Sequence, residues 1–260
     1  MMPSVVRALW LREITKFLRD RSRLAGALVQ PLGFWVLLGL GFYGTFQMPG
    51  ADASEVGYLE YLYPGIIALI LLFTAIFSTI SVVQERQEGF LQAALVTPVP
   101  RTTIVLALVS GGTTLAVAEA ALFLLLAPLV GLTPGVAGLA VVFAAALCMA
   151  LAFTALGFTI AWRLDSTRGF HAVMNLFLLP LWFLSGAVFP MDGAPAALRW
   201  LMHLNPTTYG VAAIRQGLYL PEAAPGVSPP LTLSLVVSAA FAAGMLALAV
   251  WTVRRPLFPS

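Results

Sequence analysis

Fixed charge is scarce in this chain: only 10% of its 260 residues are Asp, Glu, Lys or Arg. A soluble domain carries about 25%, so an ordinary water-facing surface is excluded. Cysteine is nearly absent. The single thiol, Cys148, cannot form an intrachain disulfide and reads as a small apolar packing residue. His171 and His203 stand apart in sequence, His171 as a polar helix-start residue beside Arg168, and no metal-ligand set is expected. No GxxxxGK[ST], HExxH or GxSxG occurs, which removes phosphate-loop, zinc-protease and serine-hydrolase chemistry from this chain. A net charge of +3 is too small to signal nucleic-acid binding.

What the chain has instead is long apolar runs. Hydrophobic residues make up 60% of it and the mean hydropathy is +0.94. Six stretches, 25–46, 61–83, 104–127, 136–161, 171–189 and 231–253, each run about 20 residues, the length a helix needs to cross a hydrocarbon core. A soluble helical bundle would need polar outer faces, and these stretches lack them. The expected fold is an all-α polytopic membrane protein: six transmembrane helices, an N-terminal interfacial helix and a short exterior helical hairpin before the last span. The first stretch follows an extended basic segment and is too long for a signal-peptide core, so it reads as a retained span. Neither an internal repeat nor a linker to a soluble catalytic domain is visible.

The distribution of the few charges orients the spans. Arg7, Arg12, Lys16, Arg19, Arg21 and Arg23 precede the first stretch. With that end inside the cell, six crossings also place Arg86, Arg101, Arg163, Arg168, Arg254 and Arg255 inside, leaving Arg199 and Arg215 outside. Lys and Arg bias orients membrane proteins, so both termini are expected in the cytoplasm.

Two segments inside the cell stand out. Residues 5–23 carry Val6, Trp10, Ile14 and Phe17 on one helical face, with Arg12, Lys16 and Arg19 on another, the pattern of a helix lying in the headgroup layer. The loop 84–101 places Glu85 and Glu88 on one side of a helical turn, followed by Gly89, an apolar set from Phe90 and Leu91 to Leu95, and the stops Pro98 and Pro100. Such a loop fits a docking surface better than a bare connection. Outside, 190–230 is too proline-rich for one span. Residues 196–204 make a short amphipathic helix, and Asn205-Pro206 supplies an N-cap with proline at N1 for a second helix over 207–219 that carries Tyr209.

Within the apolar runs, Glu119 is the conspicuous carboxylate. Three roles are open to it: touching a polar part of a substrate, relaying a proton, or bonding a neighbouring helix. Asn175 and Ser185 in the fifth stretch are available to pack helices or line a path.

The combined pattern resembles the ABC-2-type permeases, the membrane subunits of bacterial ABC exporters, with the drug-exporter branch nearest. The residues that carry the resemblance are Glu85-Arg86-Gln87-Glu88-Gly89-Phe90-Leu91 with Leu95-Val96-Thr97-Pro98, then Leu184-Ser185-Gly186-Ala187-Val188-Phe189-Pro190, Leu204-Asn205-Pro206-Thr207-Thr208-Tyr209 and Ala213-Ile214-Arg215. The resemblance implies a permease pair, a homodimer or a heterodimer, joined to two separate ABC ATPase subunits in a bacterial cytoplasmic membrane. Glu85, Arg86, Glu88, Gly89, Phe90 and Leu91 would make the ATPase coupling, and Trp10, Arg12, Lys16 and Arg19 would belong to the interfacial helix. ATP and Mg2+ would bind the partner and no cofactor this chain, whose own contacts are with the partners and membrane lipids. Spans one, two and five would wall the route of an amphiphilic drug, lipid or glycoconjugate, with Glu119 and Asn175 as candidate path residues and Asn205, Pro206 and Tyr209 in the exterior hairpin. A proton- or ion-coupled carrier and a non-transporting anchor for a cytoplasmic partner are the competing readings.

Overall fold

The computed structural model describes residues 2–19, 21–42, 57–89, 100–222, 224 and 229–254. They form ten α-helices and one 3-10 turn, and no strand occurs among the described residues. In chain order these are α1 (Met2–Arg19), α2 (Arg21–Gly41), α3 (Tyr58–Ser78), α4 (Ile80–Gln87), α5 (Arg101–Leu124), the 3-10 turn Ala127–Val130, α6 (Val136–Ala161), α7 (Thr167–Phe183), α8 (Ala196–Leu204), α9 (Pro206–Tyr219) and α10 (Leu231–Arg254).

Among the described residues four segments are long and apolar enough to cross a membrane: the α3–α4 rod, α5, α6 and α10. Of the other two expected spans, the first is helical in α2 from Arg21 to Gly41, with Val29–Gly41 its apolar stretch among the described residues, and its expected end at residue 46 lies outside the described residues. The fifth expected span stops at Phe183 after 17 residues, short of the expected 189. There the Leu184 and Ser185 amides turn back to Pro180 and Trp182, and Gly186 takes a φ of +76°, a conformation that ends a helix.

The α3–α4 rod is the axis of the molecule. Its apolar residues are enclosed by α2, α5, α6, α7 and α9, and Leu62, Ile66, Leu69 and Leu72 are fully buried. At Thr79 the rod tightens. The Thr79 amide bonds the Ile76 carbonyl and the Val82 amide bonds the Thr79 carbonyl, each at 3.0 Å, replacing i→i−4 spacing by a 3-10 step. Helix α6 packs against α3, α5, α9 and α10. By contrast α10 leaves Leu233, Val236 and Trp251 uncovered, as suits a helix whose solvent is lipid.

The described N-terminal helix runs from Met2 to Arg19, starting ahead of the expected residue 5; residue 20 lies outside the described residues, and Arg21 and Arg23 belong to α2. Helix α1 rests on α5 rather than standing free, with Glu13 and Phe17 buried and the Trp10 indole donating to Thr114 Oγ1 at 3.0 Å. Its inward face therefore includes an acid that the apolar stripe alone did not foretell.

The two short helices before α10 form as the sequence indicated, but only one lies at the surface. In α8, Leu198 and Met202 face inward while Trp200, Leu201 and Leu204 are exposed. In α9, ten residues from Thr207 to Leu218 are buried, against α6, α10 and α3. Close approach of α9 to α6 depends on Gly138 and Gly217: a Cβ at Gly217 would lie 2.9 Å from the Gly138 carbonyl oxygen, a backbone contact that small residues permit between helices.

Candidate functional site

The expected coupling residues divide into an inward and an outward set. Glu85 is buried, only 3% exposed, and its carboxylate is held by Arg12 and by Lys16 Nζ, the latter at 3.4 Å. One turn earlier Ser81 donates to Glu13 Oε2 at 3.1 Å. Glu85 thus joins α4 to α1. Arg86 lies over the Trp162 ring at 5.6 Å, donates to the Trp162 carbonyl and reaches Asp165 Oδ1 at 2.9 Å. Gln87 donates to the Asp165 carbonyl at 2.7 Å. Arg86 and Gln87 tie α4 to the turn between α6 and α7. Glu88 remains exposed, and Gly89 adopts a φ of +77°, the left-handed cap that residues with a Cβ disfavour. Phe90 and Leu91 lie outside the described residues. Arg19 is exposed at the end of α1.

At the other end of the rod a cation is buried. Arg215 on α9, read from sequence as an exterior flank, is 4% exposed. It donates to the Tyr61 carbonyl at 3.2 Å and the Gly186 carbonyl at 3.0 Å, and its guanidinium lies 4.1 Å from the Tyr61 ring centroid. The Tyr61 hydroxyl donates to the same Gly186 carbonyl at 2.9 Å. Carbonyl dipoles and a ring face thus replace water around the charge. Nearby, Tyr219 donates to Glu60 Oε1 at 2.6 Å, and burial followed by that carboxylate pushes the phenol pKa up.

The exterior candidates set the α8–α9 corner. Asn205 Oδ1 accepts from the Thr207 amide at 3.0 Å, with Pro206 at N1, a cap worth about 1 kcal/mol. The Asn205 amide group donates to the Leu181 carbonyl at 2.6 Å, anchoring the corner to α7. Tyr209 donates to the His203 carbonyl at 3.0 Å.

Between these ends, a cavity of about 540 Å³ opens beside α3, within the ~300–1,000 Å³ typical of ligand sites. One stripe of the α3–α4 rod forms its floor: Leu69, Phe73, Phe77, Ile80 and Gln84, spaced three or four apart so that they share a face. Gln30 and Pro31 of α2 form one wall, His171 and Asn175 of α7 the other, and Phe17 of α1 lies at one end. Phe77 lies 5.6 Å from Phe73 and 5.2 Å from His171, centroid to centroid. Thr74 and Ser78 add hydroxyls. Glu119 is behind this lining, 4% exposed, and its Oε2 accepts from Thr74 while Oε1 has no hydrogen-bond partner. Asn175 therefore lines the cavity and Glu119 backs it. Neither Gln30, Thr74, Phe73 nor Phe77 stood out in the sequence. Their common face becomes legible only when the stripe 69-73-77-80-84 is read as one side of a kinked rod.

An ABC-2 type transporter family model matches residues 4–219, a span holding both ends of the rod and the cavity. The chain belongs to the ABC-2 type transporter family. This permease is 30% identical over 217 residues to nodulation protein J of Sinorhizobium fredii, an alignment covering 81% of the permease and 80% of that relative. It is 29% identical over 196 residues to the putative transport permease ycf38 of Cyanophora paradoxa, covering 74% of the permease and 66% of ycf38. To the probable multidrug ABC transporter permease YbhS of Escherichia coli it is 25% identical over 188 residues, covering 72% of the permease and half of YbhS.

Proposed function

We propose that this permease is the membrane-spanning subunit of an ATP-driven exporter that moves an amphiphilic substrate out through a bacterial cytoplasmic membrane. In this reading α2, the α3–α4 rod, α5, α6, α7 and α10 are the six crossings, both termini are cytoplasmic, and two permease copies assemble with two ABC ATPase subunits. The observation that carries the reading is the cavity on the α3 face bounded by α2 and α7. It is ligand-sized, lined by aromatic and uncharged polar groups, and continuous along the rod with the segment that bears Glu85 and Glu88.

Force from the ATPases enters at Glu88 and the segment that follows it. Glu85 passes it to α1 through Arg12 and Lys16, and Arg86 passes it to the turn before α7. Because α4 is hydrogen-bonded into α3 through the Thr79 step, displacement of α4 tilts the cavity floor while α9 holds the far end at Tyr61. The permease contributes no bond chemistry in this scheme; hydrolysis of ATP with Mg2+ belongs to the partner.

The test is purification of the permease with its associated proteins, followed by reconstitution. Co-purification of an ABC ATPase and ATP-dependent, substrate-stimulated flux are expected. Flux driven by an imposed proton gradient without any ATPase would replace this reading by a secondary carrier. Partner binding without flux would leave an anchor.

A further inference from the structure

We infer that the cavity beside α3 selects amphiphiles whose head is uncharged and rich in hydrogen-bond donors, such as a glycoside, over ammonium or phosphate heads on the same tail. The inference rests on the proposed transport reading and names the substrate class of that site.

The lining supplies the reason. Among the described residues no Asp, Glu, Lys or Arg lines the cavity. Among those residues an anionic head would have His171 as its one ionisable neighbour in the lining, and a cationic head would meet no carboxylate. The polar groups present are amides, hydroxyls and an imidazole: Gln30, Gln84, Asn175, Thr74, Ser78 and His171. The Gln30 and Asn175 side chains carry no hydrogen bond to another described residue. They offer unused donors and acceptors from two different helices, α2 and α7, matching a head that both donates and accepts.

Glu119 sharpens the preference from behind. The Thr74 hydroxyl donates to Glu119 Oε2, so its hydrogen is committed and its oxygen faces a ligand as an acceptor. A hydroxyl or amide N–H satisfies that acceptor, whereas a phosphate oxygen is repelled by it and a quaternary ammonium has no hydrogen to give. Phe73 and Phe77 do attract cations through their ring faces. That attraction is smaller than the cost of stripping an ion of water with no counter-charge in contact. The same rings, with His171 inclined by 34° to Phe77, accept the apolar face of a sugar or an alkyl tail with no such penalty.

The experiment uses the full-length permease in lipid nanodiscs with Cys148→Ala and a near-isosteric reporter, Ser78→Cys, in the cavity lining. The rate of N-ethylmaleimide alkylation at position 78 is followed while dodecyl β-glucoside, dodecyltrimethylammonium, dodecyl phosphate, dodecanol or free glucose is titrated below solubilising concentrations. Half-protection by the glucoside is expected at a concentration about tenfold or more below that of either charged head. Equal or better protection by a charged head overturns the inference, as does absence of protection by any probe. Protection by dodecanol equal to that by the glucoside shows occupancy by any bilayer tail and also overturns it. Protection by glucose alone at equal concentration makes the site one for a water-soluble solute and does the same. Gln30→Leu and Thr74→Val are each expected to shift glucoside protection about fivefold, the size of one hydrogen bond; unchanged protection in both removes the head contacts assigned here. The assay needs neither ATP nor partner. Charged-head preference with ATP-dependent flux intact removes only the substrate class, whereas head selectivity without ATPase association removes the transport reading.

Discussion

The two ends of the α3–α4 rod are fastened by opposite electrostatic strategies. At Tyr61 a buried cation, Arg215, is solvated by carbonyl oxygens and a ring face, with no carboxylate in ion-pair contact among the described residues. At Glu85 a buried carboxylate meets two cations that are themselves about a third exposed. The first arrangement is dry and insensitive to salt, because its partners are dipoles fixed by the backbone. The second is partly wet, screened by ions and able to exchange partners at modest cost. The proposed scheme, in which one end is pushed and the other held, calls for this asymmetry.

The largest effect is expected at the dry end. Arg215→Met leaves the Gly186 and Tyr61 carbonyls short of a charged donor and lowers stability by about 3 kcal/mol, read as a fall in the thermal unfolding midpoint in detergent that does not vary with salt. Loss under about 1 kcal/mol would mean that packing alone holds this end. In mid-rod, Thr74→Val strands the remaining Glu119 oxygen and is expected to destabilise by about 2 kcal/mol. With Thr74 intact, Glu119→Gln, which keeps an acceptor of the same shape, should lower the unfolding midpoint less than Glu119→Ala.

A smaller effect is expected at the wet end. Glu85→Gln should cost about 1 kcal/mol at low salt, discounted for the exposure of Arg12 and Lys16, and less in high salt. Charge exchange, Arg12→Glu with Glu85→Arg, should restore part of the loss. A salt-independent deficit with no recovery on exchange would make the two ends alike and remove the comparison. Smallest for stability is Glu88→Lys, at an exposed position, where unfolding should hardly change. ATPase capture should nevertheless fall, and unchanged capture would show that the partner does not read this carboxylate.

Much of this was legible in residues taken one segment at a time. The Asn205-Pro206 pair announced the start of α9, and the apolar runs announced α3, α5, α6 and α10. Glu119 was recognisable as a carboxylate inside an apolar run with three roles open to it, and the structure sets it against Thr74. The end of α7 was misjudged for a physical reason: the turn at Gly186 stops it inside a run whose composition alone would continue. The role of Glu85 was also hidden. An acid in a polar loop looks available to a partner, and only the seating of α1 on α5 brings Arg12 and Lys16 onto it. The burial of Arg215 was hidden similarly, since a single arginine between prolines has the composition of a surface flank.

The sequence by itself determined the solvent, the helices and the caps, because hydrophobic length, proline and N-cap chemistry act over a few neighbouring residues. Tertiary structure alone decided which scarce polar groups come together: Arg215 with Tyr61, Thr74 with Glu119, Arg12 with Glu85, Gln30 and Asn175 in one cavity lining. Those partners are separated by tens of residues or more along the chain, and a buried charge or amide takes its function from whatever group the packing of apolar helices places against it.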